Sequence, residues 1–288
     1  DKMDTKNLYY FQIVFEEGNI RTAAQKLYIS PQGLGKVIKG LEIELDCQLF
    51  TRTKSGMIPT ESGIYLYEKS RKVLQDIQEM KRQIYKMNRG SDELQIGFAN
   101  GTLKVIAFEK LFEFINSRSK FTIGWSESEN DKVISQLEKG TLDYGFVTST
   151  IKSPYLEQIV VASIPIVLLV YEGHPFWNLE YASIEMIEKE DMVMMNEQFH
   201  IYYDFVQMCH IKGYVPQIRA KTMDGDTLYR LCKQKIGVAV CPAFPQTNYQ
   251  GLKAIPFKEP YYWRIYGTWL KKHHDSKVVE IFKQFFAK

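Results

Sequence analysis

Residues 19–44 read NIRTAAQKLYISPQGLGKVIKGLEIE, two short amphipathic patterns on either side of a three-residue break. Asn19 is a good helix cap, and Ile20, Ala23, Ala24 and Leu27 share one face of the helix it would open. Tyr28-Ile29-Ser30 is the break. Ser30 can cap the next helix, with Pro31 in its first turn, where a missing N–H costs nothing, and Leu34, Ile38 and Leu41 on its buried side. Upstream, Leu8, Phe11 and Phe15 follow helical spacing until Gly18 stops the run. Two short helices joined by about three residues form a helix-turn-helix unit, whose second helix offers a polar face to a DNA major groove. The same spacing also fits a plain three-helix packing module with solvated lysines.

On the polar side lie Gln32, Gly33, Gly35, Lys36 and Lys39. The Gln32 amide both donates and accepts, as reading a base edge requires, and lysines suit phosphates. The segment LFTRTKSGMIPT (49–60) reads as a two-stranded wing, with Arg52 and Lys54 before a turn at Ser55-Gly56 and Met57-Ile58-Pro59 after it. Ser30, Gln32, Gly33, Lys36, Lys39, Arg52 and Lys54 are the candidate DNA-binding residues. After Thr60 the chain stays helical to about Asn88. Leu66, Ser70, Val73, Ile77, Met80, Ile84 and Met87 recur at alternating steps of four and three, a heptad seam with one polar interruption. Leu66, Val73, Ile77, Met80 and Ile84 are therefore candidate dimerisation residues, with packing on the chain's own body as the other reading. Asn88-Arg89-Gly90-Ser91 reads as a hinge.

From Leu94 onward short β runs alternate with helical stretches, which predicts an α/β sheet with helices on its faces. Strands are expected at 94–98, 121–125, 143–147, 166–170, 192–195, 217–222 and 237–241, and helices at 102–117, 130–139, 183–190, 199–212, 224–235 and 276–287. Small ligands of such folds bind beyond the carboxyl ends of strands, where helix N-termini offer free N–H groups. FANGTLK (98–104) is that kind of turn: Asn100 and Thr102 supply hydrogen bonds, and Gly101 admits a ligand to the backbone. Ser126 and Ser128 follow the second strand and Thr148 the third, while NEQFHIYY (196–203), with His200 and Tyr202, and TMDGD (222–226) would face them across a cleft if the domain has a second lobe. Any one of these residues is more often a cap or loop residue. Their joint placement on converging loops is what supports a ligand site here.

The chain has 288 residues, enough for two or three domains, at 45% hydrophobic and 25% charged. Net charge is +3: residues 1–90 hold 15 Lys/Arg against 11 Asp/Glu and the remainder 22 against 23. A mildly basic head on a neutral body permits nucleic-acid binding without demonstrating it. The four cysteines form no C-x-x-C pair and no secretory segment precedes them, so a reducing cytoplasm is expected. The apolar run at 159–171, broken by Pro165, is too short for a bilayer, so no membrane partner is expected. Asp1-Lys2 ahead of Met3 reads as an appended pair, with Met3 the expected natural start. GWSES (124–128) lacks the last glycine of a nucleophile elbow, LQIGFANG is no dinucleotide fingerprint, and His273-His274 would diverge rather than chelate. No catalytic group, cofactor or metal is expected.

The run from Leu8 to Gly63 resembles the amino-terminal domain of LysR-type transcriptional regulators: Tyr10-Phe11, Ala23-Ala24, Ser30, Leu41-Glu42, Leu49-Phe50, Arg52-Thr53, and Thr60-Glu61 with Gly63. Pro31-Gln32 inverts the commoner order, and Gly35 stands where serine is usual. The rest of the chain matches that family's layout more weakly. The resemblance implies a winged helix-turn-helix domain over 3–60, a linker helix and hinge over 61–90, and an effector domain over 91–288. That domain would have two Rossmann-like lobes, as in periplasmic solute-binding proteins, about 91–167 with 266–288 and about 168–265, joined by two crossing strands. It further implies that positions such as Thr102, Ser128 and Thr148 line an inducer cleft, and that dimers pair into a homotetramer. The expected function is a cytoplasmic regulator of transcription, not an enzyme, whose partners are double-stranded DNA, a small-molecule effector and further copies of itself. Helix N-termini and nearby aromatic residues favour a small carboxylate as effector. The alternative is an α/β enzyme or solute-binding module that the head tethers to DNA; an acid–base pair or metal triad in the cleft would favour it.

Overall fold

Asp4 opens helix α1 (Thr5–Glu17) by accepting the Asn7 N–H at 2.7 Å, and Gly18, at φ 58°, closes it in the left-handed conformation. Helices α2 (Ile20–Lys26) and α3 (Pro31–Glu44) follow, with Leu34, Ile38, Leu41, Ala23 and Ala24 buried against Phe11 and Val14 of α1. Strands β1 (Phe50–Thr53) and β2 (Gly56–Pro59) pair antiparallel as the wing. Helix α4 (Glu61–Arg89) completes this part of the chain. The computed structural model describes residues 3–53, 56–89, 93–118, 122–151, 153–244 and 250–287, and the chain divides into two units at Arg89/Gly90.

The short motifs of the head have physical reasons. Glu42 Oε1 accepts the Leu49 N–H at 2.9 Å and the Phe50 N–H at 3.4 Å, tying the end of α3 to the start of the wing. Thr60 donates its hydroxyl to Gln48 O at 2.6 Å and accepts the Gly63 N–H at 3.1 Å, so it caps α4 and anchors it to the wing at once. Gly63 is obligatory, because a Cβ there would stand 2.2 Å from Leu49 O.

The first turns of α4 belong to the head. Leu66 packs on the head's core, Tyr67 stacks on Phe15 at 4.0 Å, and buried Ser70 accepts a 3.0 Å hydrogen bond from Gln12 Nε2. The heptad reading placed Leu66 and Ser70 on a seam between copies. They instead face α1, because the apolar side of α1 needs a cover that α2 and α3 do not supply. Further along, Val73, Met80 and Ile84 are 46%, 54% and 52% exposed and Ile77 is half-buried. The Met87 side chain lies outside the described residues.

In the second unit the described strands form a curled mixed sheet. Parallel strands β3 (Glu93–Ala99), β4 (Thr122–Ser128) and β5 (Tyr144–Val147) run in the order β4-β3-β5. Strand β6 (Leu156–Tyr171) has one half in each part of the sheet. Its first half pairs with β11 (Tyr262–Leu270), which also pairs with β5; its second half pairs with β9 (Val238–Pro242) and β10 (Leu252–Pro256). Strands β7 (Asp191–Met195) and β8 (Gln217–Thr222) continue parallel beyond β9. Helices α5 (Phe108–Arg118), α6 (Asn130–Glu138) and α9 (Lys277–Phe286) belong with the first lobe, α7 (His200–Ile211) and α8 (Gly225–Lys233) with the second.

Alternation explains the continuous apolar runs. Along β6, Leu168 and Val170 enter one core with Met192, Met194 and Phe205, while Val167 and Leu169 enter another with Leu228 and Cys232. Both faces are covered, so neither can be polar. The first lobe is built on aromatic stacking, with Tyr144 on Phe282 at 3.8 Å between centroids.

Several expected elements differ. Residues 183–190 contain only a 3₁₀ turn, Glu185–Ile187, and the helix expected from 102 begins at Phe108 after a 3₁₀ turn at Thr102–Lys104. Strand β6 runs straight through Pro165, where its partner changes. Pro165 has no N–H to offer, and the next residue, Ile166, donates to Tyr261 O at 3.0 Å.

Two glycines of the head should respond in opposite ways. A Cβ at Gly35 would meet Ile20 Cδ1 at 3.6 Å, an ordinary contact. Gly35→Ala is expected to raise stability by about 0.5–1 kcal/mol through helix propensity. Gly63→Ala should cost about 1–3 kcal/mol, because backbone must shift. Urea midpoints read at a helix signal check both, and a loss at position 35 or a gain at 63 would refute the packing.

Candidate functional site

The outer face of α3 starts from its cap. Ser30 Oγ accepts the Gly33 N–H at 3.0 Å, which fixes the angle at which the helix leaves the turn. The turn is tight enough to hold Tyr28 at φ 55°, and its ring is 96% exposed. With Leu34, Ile38 and Leu41 inward, Gln32, Lys36 and Lys39 stand in solvent on one side. On the wing, Arg52 lies opposite buried Met57 in the register and is itself exposed. The outer face of α3 thus shows one amide and two cations, and the hairpin adds the cation of Arg52.

The second unit encloses a cavity of about 450 Å³ between its two lobes. The first lobe contributes Asn100, Gly101, Leu103, Lys104, Glu127 and Thr148; the second contributes Met195, Phe199, His200, Asp224, Gly225 and Phe244, and Trp263 enters from β11. Gly101, at φ 85°, turns its N–H to Glu127 Oε1 at 3.2 Å. Asn130 Oδ1 accepts both the N–H (2.7 Å) and the hydroxyl (3.2 Å) of Thr148, and its Nδ2 lies 3.2 Å from His200 Nε2 across the cleft. On the other flank Lys104 Nζ is 3.6 Å from Asp226 Oδ1 and lies over the Phe244 ring at 5.7 Å. The two helix N-termini differ. Asp224 caps α8, accepting from the N–H and hydroxyl of Thr227, which hold its carboxyl below the usual carboxylate range. Helix α7 follows its N-cap Phe199 with no side-chain cap; the Tyr202 N–H bonds to Phe199 O at 3.0 Å, and the two N–H groups before it have no capping side chain.

Residues 5–64 match the family described as bacterial regulatory helix-turn-helix protein, lysR family, and residues 88–288 match the LysR substrate binding domain. The chain belongs to the LysR family of transcriptional regulators. It is 24% identical over 287 residues to the HTH-type transcriptional regulator YnfL of Escherichia coli (strain K12), covering 98% of this chain and 97% of that one. Its fold is shared with full-length BenM (TM-score 0.60, 21% identity, 99% and 97% of the two chains). It is likewise shared with CbnR solved with its target DNA (TM-score 0.57, 18% identity, 99% of both). This LysR regulator is thus a DNA-binding protein with an effector-binding domain, and not an enzyme.

The structure sorts the expected effector residues of the regulator. Asn100, Gly101, Thr148 and His200 line the cavity. Thr102 does not: it is fully buried, and its hydroxyl donates to Ala99 O at 2.7 Å inside the turn. Ser126 and Ser128 do not, because side chains alternate along β4 and Glu127 between them takes the cavity side. Tyr202 lies a step beyond the N-terminus of α7, where its hydroxyl takes a 3.3 Å hydrogen bond from Lys221 Nζ. Lys104, Phe244 and Trp263 were missed. Lys104 closes the quoted FANGTLK turn, whereas Phe244 and Trp263 sit on segments remote in sequence. In the head, Lys54 lies outside the described residues.

Among the described residues no His/Cys/Asp/Glu cluster could hold a metal, and no helix is long and apolar enough to cross a membrane. Cys241 lines the cavity, yet burial pushes its thiol and that of Cys232 up to about 12. Thiolate is the reactive form, so in the native regulator both should resist iodoacetamide at pH 7–8 and react only as pH approaches that range. Alkylation followed by mass spectrometry checks this, and fast modification at pH 7 would contradict it.

Proposed function

We propose that the regulator reads DNA with Ser30, Gln32, Gly33, Lys36, Lys39, Arg52 and Lys54, and that its response is set by a small apolar or aromatic carboxylate. The domains would be 3–60 for DNA, 61–90 for pairing and 91–288 for the effector. The observation that carries the ligand class is the pairing of an uncapped α7 N-terminus with Lys104 at a cavity walled by Met195, Phe199, Phe244 and Trp263. Free N–H groups and an ammonium favour an anion, and the rings favour a flat apolar body. The Lys104–Asp226 pair is largely exposed, so an incoming carboxylate exchanges partners at little cost. A thermal-shift screen of the full chain with matched aromatic carboxylates, amides and amines tests the class. Lys104→Met keeps the stem and removes the charge, and should weaken the best carboxylate by about 1.5–3 kcal/mol in calorimetric titration. Amines that outperform carboxylates, or equal binding by the variant, would refute the reading.

The regulator would act in the cytoplasm as a homodimer, extended to a homotetramer through its effector domains. The exposed side chains of Val73, Met80 and Ile84, with Ile77 between them, support pairing through α4. Each such residue contributes roughly 1.5–3 kcal/mol when fully buried, before entropy costs. Ile77→Lys combined with Ile84→Lys should remove one oligomeric level in sedimentation and steeply weaken operator binding, since two linked heads gain effective concentration. A double variant that keeps its mass would place the interface elsewhere.

A further inference from the structure

A second concavity lies in the head, apart from the face of α3. It has a volume of about 370 Å³ and is framed by Asn19, Ile20 and Arg21 at the start of α2 and by Arg52, Thr53, Gly56 and Met57 of the wing. Two arginines reach it from different elements. Arg21 is on the outward side of α2, since Ala23 and Ala24 occupy the buried side. Arg52 reaches it through the pleat. Residues opposite each other in an antiparallel pair share a face, so Arg52 lies on the side of Met57, which is turned toward the head, and not on the side of exposed Ile58.

The groove is built rather than incidental. The Met57 N–H donates to Gly18 O at 2.7 Å, clasping the wing to the α1–α2 turn. That approach tolerates no side chain: a Cβ on Gly56 would stand 2.4 Å from Gly18 O. Thr53 Oγ1 donates to Gly56 O at 3.1 Å and closes the hairpin above it. No acidic side chain lines the groove, and neither guanidinium has an ion-pair partner among the described residues. Two like charges aimed into one concavity repel each other unless an anion lies between them. A phosphodiester fits, since a guanidinium can grip it with two parallel N–H bonds and a phosphate has oxygens enough for two such groups.

We infer that this groove is a phosphate clamp, in which Arg21 and Arg52 together hold a single DNA backbone phosphate. Arg21 is then a DNA-contact residue outside the α3 face, and it positions the head without reading sequence. The test uses the full chain, a duplex that the wild type selects from a random pool, and a random duplex. Arg21→Ala, Arg52→Ala and the double variant are titrated across a salt series. Both side chains are exposed and have no ion-pair partner among the described residues, so the variants should keep the wild-type melting temperature.

A clamp on one phosphate predicts that the double variant loses about 0.9 in the slope of log K against log salt for each head engaged on the duplex, hence about 1.8 for a dimer bound through both heads. Each single variant should lose less than that, with affinity down roughly 3- to 10-fold on both duplexes and non-additively in the double. Arg21→Lys should keep the slope while losing part of the affinity, because an ammonium cannot bind in two-point fashion. Single-variant slope losses that add to about 1.8 for each head engaged would mean two separate phosphates, and an unchanged double variant would mean none. A change of base preference in Arg52→Ala would mean that its guanidinium reads a base edge. Any of these three results overturns the clamp.

Discussion

Strand β6 belongs to two half-sheets at once, and the effector cavity depends on that continuity. A strand in hydrogen-bonded register cannot slide without breaking its ladder, so its pairing with β11 on one side of Pro165 and with β9 and β10 on the other fixes both lobes to one rod. Pro165 marks the handover because it donates to neither side. Beyond the ends of β3 and β5 on one lobe and of β7 on the other, loops converge on the space left between them. The cavity is therefore a product of topology, filled in by Asn100, Thr148, Met195 and Phe199 as the residues those strands deliver.

Two polar contacts bridge that space, Lys104 to Asp226 on one flank and Asn130 to His200 on the other. Neither is deeply buried at both ends, so each contributes little to stability. The aromatic core around Tyr144 and the double-faced strands of the second lobe hold each lobe together far more strongly. The cavity thus lies between two well-packed lobes joined across it by weak polar contacts. Burial likewise favours the protonated thiols of Cys232 and of cavity-lining Cys241.

The head follows the opposite economy of parts. Its stability rests on Phe11, Leu34, Ile38 and Leu41, and on the hydrogen bonds that Glu42 accepts and Thr60 donates, which tie helix to wing. The residues turned to solvent carry almost none of it. Gln32, Lys36 and Arg52 are therefore replaceable without loss of fold. Gly56 and Gly63 are not, since a Cβ at either would run into backbone, and Gly18 is not because its φ of 58° lies in the left-handed region.

The amino-acid order by itself determined the helix-turn-helix, its caps at Asn19 and Ser30, the wing and most strands, because these follow from contacts within a few residues and from periodicity. It also marked Asn100, Gly101, Thr148 and His200, which stand at the ends of regular elements where ligands meet folds. Tertiary structure alone decided which side of a turn faces inward: Thr102 was legible as a polar turn residue, but its burial depends on how the turn packs. Whether Ser126, Glu127 or Ser128 points to the cavity depends on where β4 starts, and a shift of one residue inverts the answer. Phe244 and Trp263 reach the cavity from segments far away in the chain, the latter on the crossing strand β11, and no local pattern announces a contact between residues separated by more than a hundred positions. The same holds for Leu66 and Ser70, whose heptad spacing suits a partner helix equally well until the apolar side of α1 is found to need them.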